Sequence, residues 1–340
     1  MADSMVGHKQ CWMGMALQTA IGTAASAPTV LFPISEEAAM GYKPNYNFFQ
    51  YADAKLSGPR GYWSGGEWSE GSLSLPLVPG MLQDAGASGG MNGDVTINND
   101  IEDIGMWAFA RIHTGEDSAD YGQGLFATVF RFTFHKEERF QDVKVISGKI
   151  GVSFGQRAML DLNLLGLRKP EADSLGTWMD RASGSLKDSA VETAPYRFEH
   201  ATLKDGTSGE TLTADIVTND HSLDFDNMVA GAEEAGSLSG AAYPRYLPNN
   251  ELAQWTATFN RHWLNADLYD LFVAGTPAGY ELTLDNGTLK AVIGFPRIIY
   301  TDSPLVIPAS GFLGQDGITF QAMASADGET EAFTISESAS

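Results

Sequence analysis

Gly151-Val152-Ser153-Phe154-Gly155 has the Gly-x-Ser-x-Gly spacing of a nucleophile elbow. In that motif a sharp strand-to-helix turn exposes the serine, and a histidine and a carboxylate complete the relay. Here Ser153 lies inside an alternating run, VKVISGKIGVSF (143–154), and a second alternating run follows. The pattern predicts a glycine-interrupted strand rather than an elbow. The acidic run NDHSLDFDN (219–227) has the composition of a calcium loop. It lacks the central glycine and the twelfth-position glutamate that such a loop needs. Histidines stand at 8, 113, 135, 200, 221 and 262, without the i, i+4 spacing of a zinc helix. Asn286-Gly287-Thr288 fits a glycosylation sequon, but a turn accounts for it equally well. No catalytic, cofactor-binding or metal-binding residue is assigned, and no enzyme activity is expected.

The elements around these residues are mostly strands. LFATVFRFTF (125–134) places Phe126, Phe130, Phe132 and Phe134 on one face of a period-2 pattern. VKVISGKIGVSF and AMLDLNLLGL, joined by Gly155-Gln156-Arg157, read as a hairpin. YELTLDNGTLKAVIGF (280–295) reads as a second hairpin, with Asn286-Gly287 suited to a type I′ turn. ITFQAMA (318–324) and EAFTI (331–335) add short strands. Two short helices are expected, over 80–87 and 265–274.

Each expected helix follows a strand, in EWSEGSLSLPLVPGMLQDAGASGG (67–90) and in QWTATFNRHWLNADLYDLFVAG (254–275). Aligning Trp68 with Trp255, and Phe154 with Phe225, suggests a duplicated unit. The segment 169–195, rich in Ser, Ala, Asp and Gly, reads as a linker. The expected divisions are therefore 1–168, 169–195 as linker, 196–336, and a tail at 337–340. Residues 1–30 are expected to form an N-terminal arm rather than a cleaved signal peptide, because Asp3 sits where a signal is basic and Gln18-Thr19 interrupt the apolar run.

The chain has 340 residues, with 43 acidic and 21 basic, a formal charge of −22. Nucleic-acid binding rests on Lys and Arg neutralising phosphates, so this balance disfavours it. No run of 18 apolar residues marks a membrane helix. One cysteine, Cys11, excludes an intrachain disulfide.

The order of segments resembles the tail tube proteins of long-tailed bacteriophages. LQTAIGT (17–23), LFPISEE (31–37), Gly-Pro-Arg-Gly (58–61), the strand of 67–90, VKVISGKIGVSFGQRAMLDLNLLG, PYRFEHATL, HSLDFDN, WTATFNRHWLNADLYDLFVAG and LKAVIGFPRIIYTDSPLVIPASG carry the resemblance by their succession. It implies a mainly β chain of two tandem tube modules, sandwich or barrel-like, each with a short helix, assembling into a β-lined ring. It also implies a structural virion protein, made in the host cytoplasm and placed in the tail. Its rings stack into the hollow tube that passes DNA without specific binding. The implied partners are other copies, as trimeric rings with hexamers as the alternative, and the tape measure, tail terminator and distal tail proteins. No cofactor and no membrane are implied, and the lumen-facing residues are not assigned. The competing expectations are a trimeric outer-membrane porin-like β protein and, behind it, a serine hydrolase acting through Ser153. The N-terminal arm, the loop between strands near 205 and 252, or both are expected to reach a neighbouring subunit or ring.

Overall fold

The computed structural model describes residues 11–19, 21–32, 38–49, 61–83, 97, 99–109, 125–133, 136–173, 178, 194–207, 214–215, 220–227, 229, 254–262, 266–305, 307, 314–323 and 333–340. The chain is mainly β. In order the elements are β1 (Trp12–Leu17), β2 (Val30–Leu31), β3 (Ala38–Phe49), β4 (Gly61–Pro76), α1 (Glu102–Phe109), β5 (Ala127–Thr133), β6 (Lys136–Ser153), β7 (Met159–Gly166) and β8 (Glu171–Asp173). There follow β9 (Ala201–Thr207), β10 (Ala214–Asp215), β11 (Asp220–Asp226), β12 (Gln254–His262), α2 (Asp267–Ala274), β13 (Ala278–Asp285), β14 (Leu289–Asp302), β15 (Gly314–Ala322) and β16 (Thr334–Ala339). All sixteen strands join one antiparallel sheet.

Two long strands organise it. β6 pairs with β5 and β8 along its first part, then with β7 and β11 along its second. β14 pairs with β13 and β16, then with β15. The remaining pairings match one for one. β1 pairs with β2 and β5, β9 with β10 and β13. β4 pairs with β3 and β7, β12 with β11 and β15. Each strand of the first half thus has a counterpart eight strands later, with a helix between the fourth and fifth strand each time.

The irregularities match as well. β6 shifts register against β5 at Ala127/Val129, and β14 against β13 at Ala278/Tyr280. β6 shifts against β7 at Val145/Ser147, and β14 against β15 at Tyr300/Asp302. A bulge adds one residue and turns the strand, so these mark where each long strand passes from one arm of the sheet to the other. Both arms feed one core: Met15, Val129 and Phe140 from one side, Met40, Leu73 and Leu162 from the other.

The pairing that joins the halves is β6 with β11, from Ser147↔Asp226 to Ser153↔Asp220. It is backed by shared aromatic packing. Phe109 of α1 lies 4.9 Å from Phe225 and 5.7 Å from Trp255, ring centre to ring centre. Asn227, just after β11, donates to the carbonyls of Ala108 and Val145, both at 3.1 Å. Gly148 faces Phe225 across the pair, where an added Cβ would come within 2.6 Å of the ring.

Several expectations need correction. The helix expected at 80–87 is a turn over its described part, to residue 83. Glu337 holds it, accepting from the Gly80 and Leu82 amides at 2.9 and 3.0 Å and from the Tyr196 hydroxyl at 2.6 Å. The first helix is α1 instead, its residues Asp103 to Phe109 buried. α2 agrees with expectation, closed by Gly275 at φ 61° with its N–H bonded to helix carbonyls.

Residues 12–17, expected in an arm, are β1, an interior strand with Met13, Met15, Ala16 and Leu17 buried. Gln18 and Gly22 donate to the Asp142 carboxylate at 2.7 and 2.8 Å, beside the first bulge of β6. Glu171–Asp173, expected as linker, are β8, and residues 337–339, expected as tail, continue β16. The rest of 174–193, apart from Trp178, lies outside the described residues, as do 1–10 and most of 228–253. The 286–287 hairpin holds, but Gly287 alone has positive φ, at 82°, so the turn has the pattern of type II′.

The paired alignments also move. Gly71 and Ala257 occupy matching positions, which sets Ser69 with Trp255 and Trp68 with Gln254. Phe154 and Phe225 are not counterparts; Phe225 lies in β11, and Phe154 is the turn residue just after β6, the strand that pairs with β11 across the seam.

Candidate functional surface

The sheet has a run of eight strands, β3-β4-β7-β6-β11-β12-β15-β14, that crosses the seam without a break. Along it, alternate residues enter the core: Met40, Leu73, Leu162, Ile150, Leu223, Ala257 and Ile318. The pleat sends the intervening residues to the opposite face. Registers place Ser74, Asp161, Lys149, Asp224, Thr256 and Gln321 in one row across six strands. A neighbouring row runs Ser72, Asn163, Ser147, Asp226, Gln254. Ser72, Lys149, Asn163, Asp220, Asp226, Gln254, Thr256 and Thr258 are all exposed.

Short hydroxyl and carboxylate groups satisfy one another on this face. Ser74 Oγ donates to Asp161 at 2.5 Å, Ser222 Oγ to Asp224 at 3.1 Å, and Asn163 Nδ2 to Ser147 Oγ at 3.0 Å. Among the described residues the charges are Glu70, Asp161, Asp220, Asp224, Asp226 and Asp302 against Lys43 and Lys149. The result is a broad, small-residue, net negative surface. Among the described residues it carries more acids than lysines, with no cationic groove of the kind by which proteins hold single-stranded nucleic acid.

The residues singled out by sequence fall into this frame. Ser153 Oγ donates to Asp220 Oδ1 at 2.7 Å on the polar face. His221, next in sequence to Asp220, points the other way, 2% exposed and stacked 5.7 Å from Tyr280, whose hydroxyl meets its Nε2. Serine and imidazole are therefore on opposite faces of the sheet, which is not the geometry of a relay. The acidic run 219–227 is a strand, β11, with its acids outward and His221, Leu223 and Phe225 inward. That alternation was present in the sequence and identifies the face.

Burial pushes the His221 imidazole down from 6.5 to about 3. The unfolded chain takes up this proton below its ordinary value, and the folded chain does so only near 3. The contribution is whole above pH 6.5 and is lost as pH falls toward 3. Asp205, pushed up to about 6 mainly by burial, acts in the opposite sense between about pH 6 and 4. Comparison with His221→Gln cancels that second effect. Between pH 7 and pH 5 the native chain should lose about 2 kcal/mol more than the variant in urea titrations. Equal losses would show that His221 titrates normally.

No protein-family model matches this chain. No curated protein matches it either.

Proposed function

We propose that this chain is a structural protein of a phage tail tube, made of two tandem tube modules, near 12–173 and 201–339. Copies join into rings, the rings stack, and the polar face of the eight-strand run lines a channel for DNA. One observation carries the reading. A single continuous sheet has one core-facing side and one side of small polar and acidic groups, a form suited to a wall that must not hold what passes along it.

The matched pairing of β1–β8 and β9–β16 supports two modules per chain, and hence three chains per ring. At about 4.8 Å per strand, three copies of the eight-strand run would close into a sheet roughly 115 Å around and about 37 Å across at the backbone. Strand tilt widens it further, leaving room for duplex DNA. In this reading the protein works by assembly, not catalysis, and its partners are other copies and the proteins that cap and measure a tube.

Negative-stain and cryo-electron microscopy of the purified protein at rising concentration tests this. The expected result is rings or tubes with threefold symmetry and two similar modules per chain. A folded monomer that persists at high concentration would sink the reading. A ring of six chains would sink the two-module arrangement.

A further inference from the structure

The β6–β11 seam has a counterpart that lacks a partner strand among the described residues. After its second bulge, β6 runs Ser147–Ser153 alongside β11. β14 reaches the same bulge at Tyr300/Asp302, so Asp302 matches Ser147. Counting on along the chain past the last paired residue of β14 sets Leu305 with Ile150 and Ile307 with Val152. Ile150 and Val152 are 0% and 2% exposed, whereas Leu305 and Ile307 are 42% and 82% exposed. Burying such side chains against a partner is favourable.

The other side also lacks a second strand among the described residues, though Arg131 Nη1 donates to the Met40 carbonyl there. β3 corresponds to β11, since Met40↔Gly71 matches Leu223↔Ala257 and Lys43↔Trp68 matches Asp226↔Gln254. β11 has strands on both sides, but β3 has only β4 among the described residues. The helices repeat the contrast. α1 is buried against the seam, while α2 leaves Tyr269 and Val273 38% and 65% exposed. One end of the chain thus carries a seam's donor side, the other end its acceptor side.

We propose that the stretch after β14 of one copy adds as an antiparallel strand to β3 of a second copy, in the register of the internal seam. This rests on the assembly reading above and specifies its contact. Leu305 comes opposite Met40, Ile307 opposite Ala38, and Asp302 opposite Lys43. The last pair brings opposite charges together; in the monomer Lys43 has Glu70 at 3.6 Å. Pro304 has no amide to donate, which limits indiscriminate pairing of an edge left open. The contact is head-to-tail, so it closes into a ring or continues as a filament.

The test uses the full chain with Ile307→Asp, Lys43→Asp, Asp302→Lys and the double charge exchange. Assembly is read by sedimentation and electron microscopy, and folding by thermal melting. Ile307→Asp should melt like the native chain and raise the concentration needed for assembly by at least about tenfold. Each single charge change should weaken assembly, and the double exchange should recover most of the loss. Native tubes alongside unimpaired Ile307→Asp tubes would overturn this contact and leave the tube reading standing. Open native oligomers that form neither rings nor tubes, lost in Ile307→Asp, would support the contact and sink the tube reading. A native chain that stays monomeric overturns both.

Discussion

Asp220→Lys with Asp226→Lys should turn the polar face from DNA-repelling to DNA-holding while leaving the fold intact. Both residues are exposed, and their cross-strand neighbours are Ser153 and Asn260 for one, Ser147 and Gln254 for the other. No lysine stands directly opposite either, so the change introduces no direct cross-strand like-charge pair. Among the described residues the face carries six acids against two lysines, and the two replacements leave four of each, removing the net negative charge and adding two groups that can neutralise phosphate. Each lysine that neutralises a phosphate steepens the salt dependence by about 0.9 in log–log slope, and a three-copy ring would present several. Assembled protein should therefore bind a short duplex at least about a hundredfold tighter than the native form at 50 mM salt, with most of the gain gone by about 200 mM. Electrophoretic retention across a salt series measures it. Binding that stays undetectable in assembled variant would mean that the face does not meet DNA.

Trp255→Ala is expected to be the most damaging single truncation for stability. Trp255 is 1% exposed and touches Phe109 of the first half as well as Phe225, Phe295 at 5.5 Å and Phe333 at 4.5 Å in the second. Removing a buried tryptophan costs about 3–5 kcal/mol through lost transfer energy and the cavity left behind. Aromatic pairing adds about 0.5–1.5 kcal/mol per pair. Because the ring binds both halves, the native chain should unfold in one denaturant transition, and the variant should show a lower midpoint. A loss below about 1 kcal/mol, or two separate native transitions, would show that the halves do not depend on a shared core.

Much of the strand content was legible because it is local. Alternation marks Leu160, Leu162 and Leu164, and it marks 219–227 once the acids are read as an outward face rather than as ligands. α2 was legible because acids open it and a glycine closes it. α1 was not: it is buried nearly all round, so EDIGMWAF shows no polar stripe to give a period. The turn at 79–83 was mistaken for a helix because Glu337, which holds it, lies far along the chain. LFATVFRFTF was read correctly as a strand, but its phenylalanine face is not the central one. Ala127 and Val129 enter the main core, while Phe126 and Phe130 lie in separate smaller clusters.

The matching of the halves was hardest to see. Matching positions hold different residues, such as Ser69 with Trp255 and Tyr42 with Phe225. Aligning the two tryptophans displaces the strand by one residue, and a one-residue slip reverses which face each side chain occupies. Trp68 accordingly packs in a small outer cluster, and Trp255 in the centre. Only hydrogen-bond register, which is non-local, exposes the correspondence.

The β6–β11 seam also has a kinetic meaning. It is closed within one chain, so its two sides meet at the high effective concentration of a tether and need no encounter in solution. In a closed ring of this chain, every second junction would already exist when the polypeptide folds. A three-chain ring would then have three junctions left to form, by two encounters and a closure, where six separate modules would have six, by five encounters and a closure. The onset of ring formation would depend less steeply on protein concentration, and incomplete circles with odd numbers of modules could not arise.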